Sequence, residues 1–157
     1  MILSPDTWLG RGSWRVTTDS TGVKFECVVQ IEDEGNGTSI HVNVITETDT
    51  RIKYDVWIVP DETGLYTITV NNSGLSLEGI GKLESLPHLA TLRSEDGETN
   101  LVLTVFEMPE VFGTRGFYTH GKHTYTFELA LRLRVKVVQE NNENVTIIPF
   151  NPRGGAS

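Results

Sequence analysis

Hydrophobic and polar residues alternate without a break over residues 124–137, TYTFELALRLRVKV. Successive side chains on a β-strand point to opposite faces, so this pattern predicts one long strand with an apolar face and a polar face. A strand of this length exceeds the usual five or six residues, which favours a strongly curved sheet or a barrel. The apolar positions are Tyr125, Phe127, Leu129, Leu131, Leu133, Val135 and Val137.

Shorter alternating segments precede the long strand and are separated by turn residues such as Gly35-Asn36-Gly37. About ten strands at this spacing are typical of an antiparallel sandwich or barrel. We therefore predict an all-β, antiparallel up-and-down barrel of eight to ten strands, in which the last strand pairs with the first. The chain is expected to be a single domain, 1–157, with a flexible tail from about residue 150. The earlier segments are 12–18, 24–32, 39–46, 51–59, 65–70, 75–82, 88–93, 101–107 and 112–120.

The composition of the chain limits the classes of partner that it is expected to bind. With 38% hydrophobic and 22% charged residues, its 157 residues are typical of a globular protein. The net charge of −8 argues against nucleic acid, because a phosphate backbone is bound through clustered lysine and arginine. No segment approaches the roughly 20 apolar residues that span a bilayer. A single cysteine, Cys27, and an N-terminus without a signal-peptide pattern favour a cytoplasmic protein.

Few residues suggest catalysis or metal binding. Cys27 falls on an apolar strand face, where a thiol is usually inert. His120 and His123 flank the turn Gly121-Lys122 and are expected to be two solvated histidines, because no third metal ligand is indicated by the spacing. No phosphate-binding loop or nucleophile elbow occurs, so the sequence predicts no catalytic residue, no metal and no cofactor.

The opening of the first predicted strand carries a family resemblance. Gly12-Ser13-Trp14 is a Gly-x-Trp motif, and with an all-β chain behind it the sequence resembles the lipocalin and fatty-acid-binding superfamily, the calycins. In that group the Gly allows a tight bend, the Trp plugs the closed end of the barrel, and an Arg or Lys of the last strand packs across the Trp. The resemblance implies that Trp14 closes one barrel end and makes a cation–π contact with Arg132 or Arg134.

A second likeness concerns histidine. The doubled glycines Gly10 and Gly12 resemble the openings of nitrobindin-type barrels, whose haem-binding His lies near the chain end in a Pro-His-Leu context. Here Pro87-His88-Leu89 lies in the middle of the chain. We therefore expect His88 to face solvent at the start of a strand and to bind no haem.

The aromatic residues on the predicted strands favour a binding cavity over a solid core. The leading hypothesis is a barrel that holds a small hydrophobic or amphipathic molecule, with arginine or histidine orienting a carboxylate or another polar head. The first alternative is an enzyme of the isomerase or lyase type, with a buried tyrosine or Glu128 as acid or base. The second is a non-catalytic interaction domain that pairs through an edge strand or Trp57, and a homodimer is left open. The predicted ligand-binding residues are Trp14, Tyr54, Tyr66, Tyr125, Phe127, Arg132, Arg134 and His41.

Overall fold

Ten antiparallel strands close into a barrel. The structure is a computed structural model that describes residues 4–16, 21–138 and 145–148. Each barrel strand pairs with its neighbour in sequence, and β10 closes the barrel by pairing with β1. The prediction of an up-and-down barrel in which the last strand pairs with the first is thus confirmed. The barrel strands are β1 Thr7–Val16, β2 Val23–Asp33, β3 Thr38–Thr46, β4 Arg51–Pro60, β5 Tyr66–Asn72, β6 Leu75–Lys82, β7 His88–Ser94, β8 Thr99–Met108, β9 Val111–His120 and β10 His123–Leu133.

The long alternating segment does not remain one strand to residue 137. β10 ends at Leu133, and β11 (Val135–Val138) pairs with β12 (Val145–Ile148) in a separate two-stranded sheet. The reason is that β1 begins at Thr7, whose carbonyl accepts the backbone N–H of Arg134 at 2.9 Å. Beyond that point no described strand lies beside β10 in the barrel. The predicted tail from about residue 150 lies outside the described residues.

The register assigns each alternating position to the inside or the outside of the barrel. In β1, Trp8, Gly10, Gly12 and Trp14 face inward, and Trp14 lies opposite Phe127 of β10. The intervening residues of β1 face outward, as does Arg132, which lies opposite Leu9. The apolar face that the sequence predicts for β10 is therefore the lining of the barrel.

Two glycines on the lining permit the wall to bend sharply. A Cβ atom at Gly12 would collide with the backbone oxygen of Glu128, and one at Gly79 would collide with that of Thr91. Glycine kinks of this kind allow an antiparallel sheet to curve and close. The Gly of the Gly-Ser-Trp motif is thus required by a close approach of β1 to β10.

The two barrel ends are named here by their tryptophans. The Trp8 end carries the start of β1 and the turns 34–37, 61–65, 83–87 and 109–110, whereas the Trp14 end carries the turns 47–50, 73–74, 95–98 and 121–122. Two apolar clusters, bridged by Ile40, form the core. The buried members are Trp8, Cys27, Val29, Ile31, Val44 and Leu131 in the first, and Ile58, Ile68, Leu77, Leu83, Ala90 and Leu92 in the second.

Among the described residues, no helix is long and apolar enough to cross a membrane.

Candidate functional site

The inward face of the described barrel strands carries no lysine or arginine. In the ten described barrel strands, the register places no lysine or arginine on the inward-facing set of positions. Asp33 and Glu107 belong to the same alternating set of positions as the inward-facing residues of their strands. Both are nevertheless exposed, because they lie at strand ends at the rim of the Trp8 end. A guest inside the barrel would therefore meet no cationic partner. Burying an unpaired charge is costly, so the lining favours an uncharged guest.

Aromatic side chains are concentrated on one wall at the Trp14 end. Trp14 stacks on Phe25 with ring centroids 5.1 Å apart and planes 29° apart. Tyr118 stacks on Tyr125 at 4.7 Å and 14°. Phe127 lies between these pairs, because it is opposite Trp14 on β1 and two residues from Tyr125 on β10. We call this continuous surface, Phe25, Trp14, Phe127, Tyr125 and Tyr118, the aromatic arc.

Polar atoms accompany the arc. Burial raises the pKa of Tyr118 to about 12, and the neighbouring phenols of Tyr125 and Tyr54 act in the same direction. Burial also raises the pKa of Tyr54, although a hydrogen bond from the Asn72 side chain partly offsets it. Tyr54 on β4 and Tyr118 on β9 face inward from opposite sides of the barrel. Both phenols stay neutral at physiological pH and are hydrogen-bond donors.

The arc is accessible, whereas the opposite end of the barrel is filled. All five rings of the arc are only partly buried. At the other end Trp8 is 6% exposed, packs edge-on against Phe112 at 5.3 Å, and donates its indole N–H to the carbonyl of Ser4 at 3.2 Å. The end-closing tryptophan is therefore Trp8 and not the Trp14 of the Gly-x-Trp motif.

Five of the predicted ligand-binding residues lie on the inward face: Trp14, Tyr54, Tyr66, Tyr125 and Phe127. Tyr66 is separate from the others, because it begins β5 at the Trp8 end, opposite Gly81. The structure therefore brings together Trp14, Tyr54, Tyr125 and Phe127 at the Trp14 end.

The predicted basic residues lie elsewhere. Arg132 is exposed on the outer face, and Arg134 follows the end of β10. Residue 132 is five positions along β10 from the partner of Trp14, a distance of roughly 16 Å at the rise of a strand, and it points to the other face. The predicted cation–π contact between Trp14 and Arg132 or Arg134 is wrong. The alternation was correct, but it places Arg132 on the face opposite the lining.

His41 and Glu128 also point outward. The His41 ring nitrogen Nδ1 lies 2.6 Å from the carboxylate of Asp55, and both side chains are substantially exposed. Glu128 lies 3.6 Å from Arg115 on the barrel surface. Neither residue reaches the lumen, so the structure gives Glu128 no place in an internal acid–base pair.

The histidines differ from one another. His88 is 9% exposed and faces inward, opposite Val105, so the expectation that it faces solvent is wrong. Its Nδ1 atom is buried without a hydrogen-bond partner. His120 pairs with His123 across the β9–β10 turn, as expected, and its Nδ1 lies 2.8 Å from the hydroxyl of Thr99. Within the described residues, no group of three or more side chains is arranged to hold a metal ion.

Sequence reasoning missed Tyr118. The preceding aromatic residue, Phe117, is 44% exposed on the outer face. The tight turn at Gly121-Lys122 contains the missing signal. If His120 pairs with His123, counting back along both strands places Tyr118 opposite Tyr125. No sequence pattern indicated that Asn72, at the end of β5, forms a hydrogen bond with Tyr54.

A groove near the same end opens to the barrel surface, although Phe25 of the aromatic arc is one of its lining residues. It has a volume of about 720 Å³ and is lined mainly by outward-facing residues of β1, β2 and the β3–β4 turn. Its charged side chains are Arg11, Lys24, Glu26, Glu47, Asp49 and Glu128. Mixed charge of this kind is typical of a solvated surface, and the groove gives no indication of one ligand class.

Comparison with known proteins identifies no family for this chain. No family model and no curated protein matches the chain. Among solved structures, the chain is similar to a designed protein described as a de novo fluorescence-activating β-barrel, with 14% sequence identity and a TM-score of 0.44. The match covers 83% of this chain and 94% of the designed chain. Such a distant likeness carries no argument about function, and the resemblance to calycins extends only to a ten-stranded antiparallel barrel.

Proposed function

We propose that this barrel binds a small, uncharged apolar or amphipathic molecule in its lumen, and that the molecule enters at the Trp14 end. The observation that carries the proposal is the aromatic arc, five inward-facing rings that remain partly exposed on a lining without lysine or arginine. Binding pockets are commonly apolar surfaces with a few polar groups that fix orientation. In this barrel Tyr54, Asn72 and Tyr118 supply those polar groups.

The charge of the guest follows from the positions of the arginines. The structure does not support a carboxylate head held by Arg132 or Arg134, because Arg132 lies on the outer face and Arg134 lies beyond the end of β10. A long-chain alcohol or another neutral lipid-like molecule keeps the apolar contact without burying a charge. Lipid binding of the calycin kind is therefore proposed for neutral guests only.

The two alternative functions receive less support. An internal acid–base pair would require a carboxylate near the tyrosines, and Glu128 is on the outer surface. An interaction domain that pairs through an edge strand of the barrel is disfavoured, because all ten described barrel strands are paired on both sides. The outward ring of Trp57 lies against Gly37, where an added Cβ would approach it to 2.7 Å.

Two adjacent residues of β8 provide a matched test. Leu101 faces the lumen opposite Tyr118, whereas Val102 faces outward opposite Phe117. Leu101→Trp should fill the lumen and weaken binding of the neutral fluorophore 1-aminoanthracene by at least about tenfold. Val102→Trp should leave affinity within about twofold, since it adds the same ring on the outside. Fluorescence titration of both variants measures this, and circular dichroism checks that each remains folded.

The wild-type protein supplies the test of charge. Dodecanol should displace the fluorophore at about tenfold lower concentration than dodecanoate, because the lining carries no lysine or arginine to pair with a carboxylate. Equal loss of binding in both β8 variants, or no loss in Leu101→Trp, would place the fluorophore outside the lumen and contradict the proposal.

A further inference from the structure

The shape of the aromatic arc favours a flat guest. The two stacked pairs, 5.1 Å and 4.7 Å between centroids, lie on neighbouring strands on either side of Phe127. The interaction energy between two aromatic rings is most favourable in offset-stacked or edge-to-face contact. A planar conjugated molecule can use several rings of this wall at once, whereas a branched aliphatic molecule of equal area contacts each of them less completely.

The hydroxyl groups of the arc indicate which polar atom the guest carries. Tyr54 shares a hydrogen bond with the Asn72 side chain. The hydroxyls of Tyr118 and Tyr125 form no hydrogen bond within the described part of the chain. The raised pKa of Tyr118, about 12, keeps its O–H intact at neutral pH. A half-buried phenol without a partner is a ready donor, and its natural complement is an acceptor oxygen such as a carbonyl.

We propose, on the basis of the binding function proposed above, that the guest is a flat, uncharged conjugated molecule with a carbonyl-type oxygen that accepts a hydrogen bond from Tyr118 or Tyr125. The ring system lies against Trp14, Phe25 and Phe127, and the oxygen points towards β9 and β10. This orientation places the planar body along the arc and the polar atom at its end. The guest needs no charged partner, in keeping with the lining.

A pair of probes that differ only in the acceptor tests the proposal. 2-Acetylnaphthalene carries the carbonyl, and 2-isopropylnaphthalene has a similar shape without it. Wild type should bind the acetyl compound about three- to tenfold more tightly, the worth of one net hydrogen bond. The double variant Tyr118→Phe/Tyr125→Phe keeps both rings and should lose this preference, while its affinity for the isopropyl compound stays within about twofold of wild type.

Tyr66→Phe is the matched control, because Tyr66 faces inward at the other end of the barrel. It should keep the preference for the acetyl compound. The carbonyl stretching band of the bound acetyl compound gives a second readout, which should shift to higher frequency in the double variant as the hydrogen bond is lost.

The outcomes separate the two proposals. If the naphthalenes bind wild type without any preference, or if the preference survives in the double variant, the acceptor-oxygen inference is overturned and lumen binding stands. If neither naphthalene binds and 1-aminoanthracene also fails to bind wild type, both proposals are overturned.

Discussion

The Trp8 end and the Trp14 end of the barrel share one alternation of inward side chains but differ in how completely these are packed. Trp8, Ile58 and Leu83 are each 6% exposed. Leu83, from the turn 83–87, belongs to the same buried cluster as Ile58, and the carbonyl of Ser4 accepts the indole N–H of Trp8. The five rings of the aromatic arc have the same inward orientation yet remain partly exposed. Alternation therefore determines which way a side chain points, and the segments that cover a barrel end determine whether it is buried.

The largest difference between the ends should appear in stability. Trp8→Ala leaves a cavity at the packed end and should lower the free energy of unfolding by about 3–5 kcal/mol. Trp14→Ala should cost only about 1–2 kcal/mol, because a partly exposed ring transfers less apolar area out of water on folding. Urea denaturation of both variants measures the difference. Equal losses would mean that the two ends are packed alike.

The same comparison explains which parts could be predicted from the sequence. Alternation predicted the strands of the barrel and placed Phe127 on an apolar face, whereas the pairing of the last strand with the first and the inward position of Trp14 also depended on the Gly-Ser-Trp motif. It was not sufficient to decide which tryptophan closes an end, because that depends on the contacts of Trp8 with Ser4 and Phe112. These contacts join residues whose proximity is created by the closed fold.

The histidines and arginines show a second limit of prediction from the sequence. Arg132 was assigned to a site through a family resemblance, although its own parity on β10 placed it with Glu128 on the outer face. His88 was expected in solvent because a polar residue follows a turn, but its position in β7 shares parity with Ala90 and Leu92. In both cases the period-two pattern was a better guide than residue type or motif.

Alkaline pH should lower stability through Cys27 of the first apolar cluster and through Tyr118 of the aromatic arc at different pH values. Burial raises the pKa of Cys27 from 9.0 to about 12 and that of Tyr118 from 10.0 to about 12. Both groups are kept protonated by folding, so their contribution to stability is complete below the unfolded-state pKa and is lost as pH rises to the folded-state value. Stability should therefore decline from about pH 9 through the thiol, and from about pH 10 through the phenol.

Two variants distinguish these contributions. Cys27→Ala should delay the alkaline loss by about one pH unit and remove on the order of 2 kcal/mol of it. Tyr118→Phe should remove about 1 kcal/mol or less of the stability that is lost at alkaline pH, because solvent screens a half-buried phenol. Chemical denaturation between pH 8 and 11 measures both. An alkaline limb that is identical in wild type and Cys27→Ala would show that the thiol is not buried in the packed cluster.

Fluorine NMR of protein labelled with 5-fluorotryptophan tests most directly whether a guest enters at the Trp14 end. The chain has three tryptophans: Trp8 in the packed end, Trp14 in the arc and Trp57 on the outer face. Titration with a neutral guest should shift the Trp14 resonance and leave those of Trp8 and Trp57 in place, with assignments from single Trp→Phe variants. A saturable shift of Trp8 or Trp57 without one of Trp14 would contradict the account.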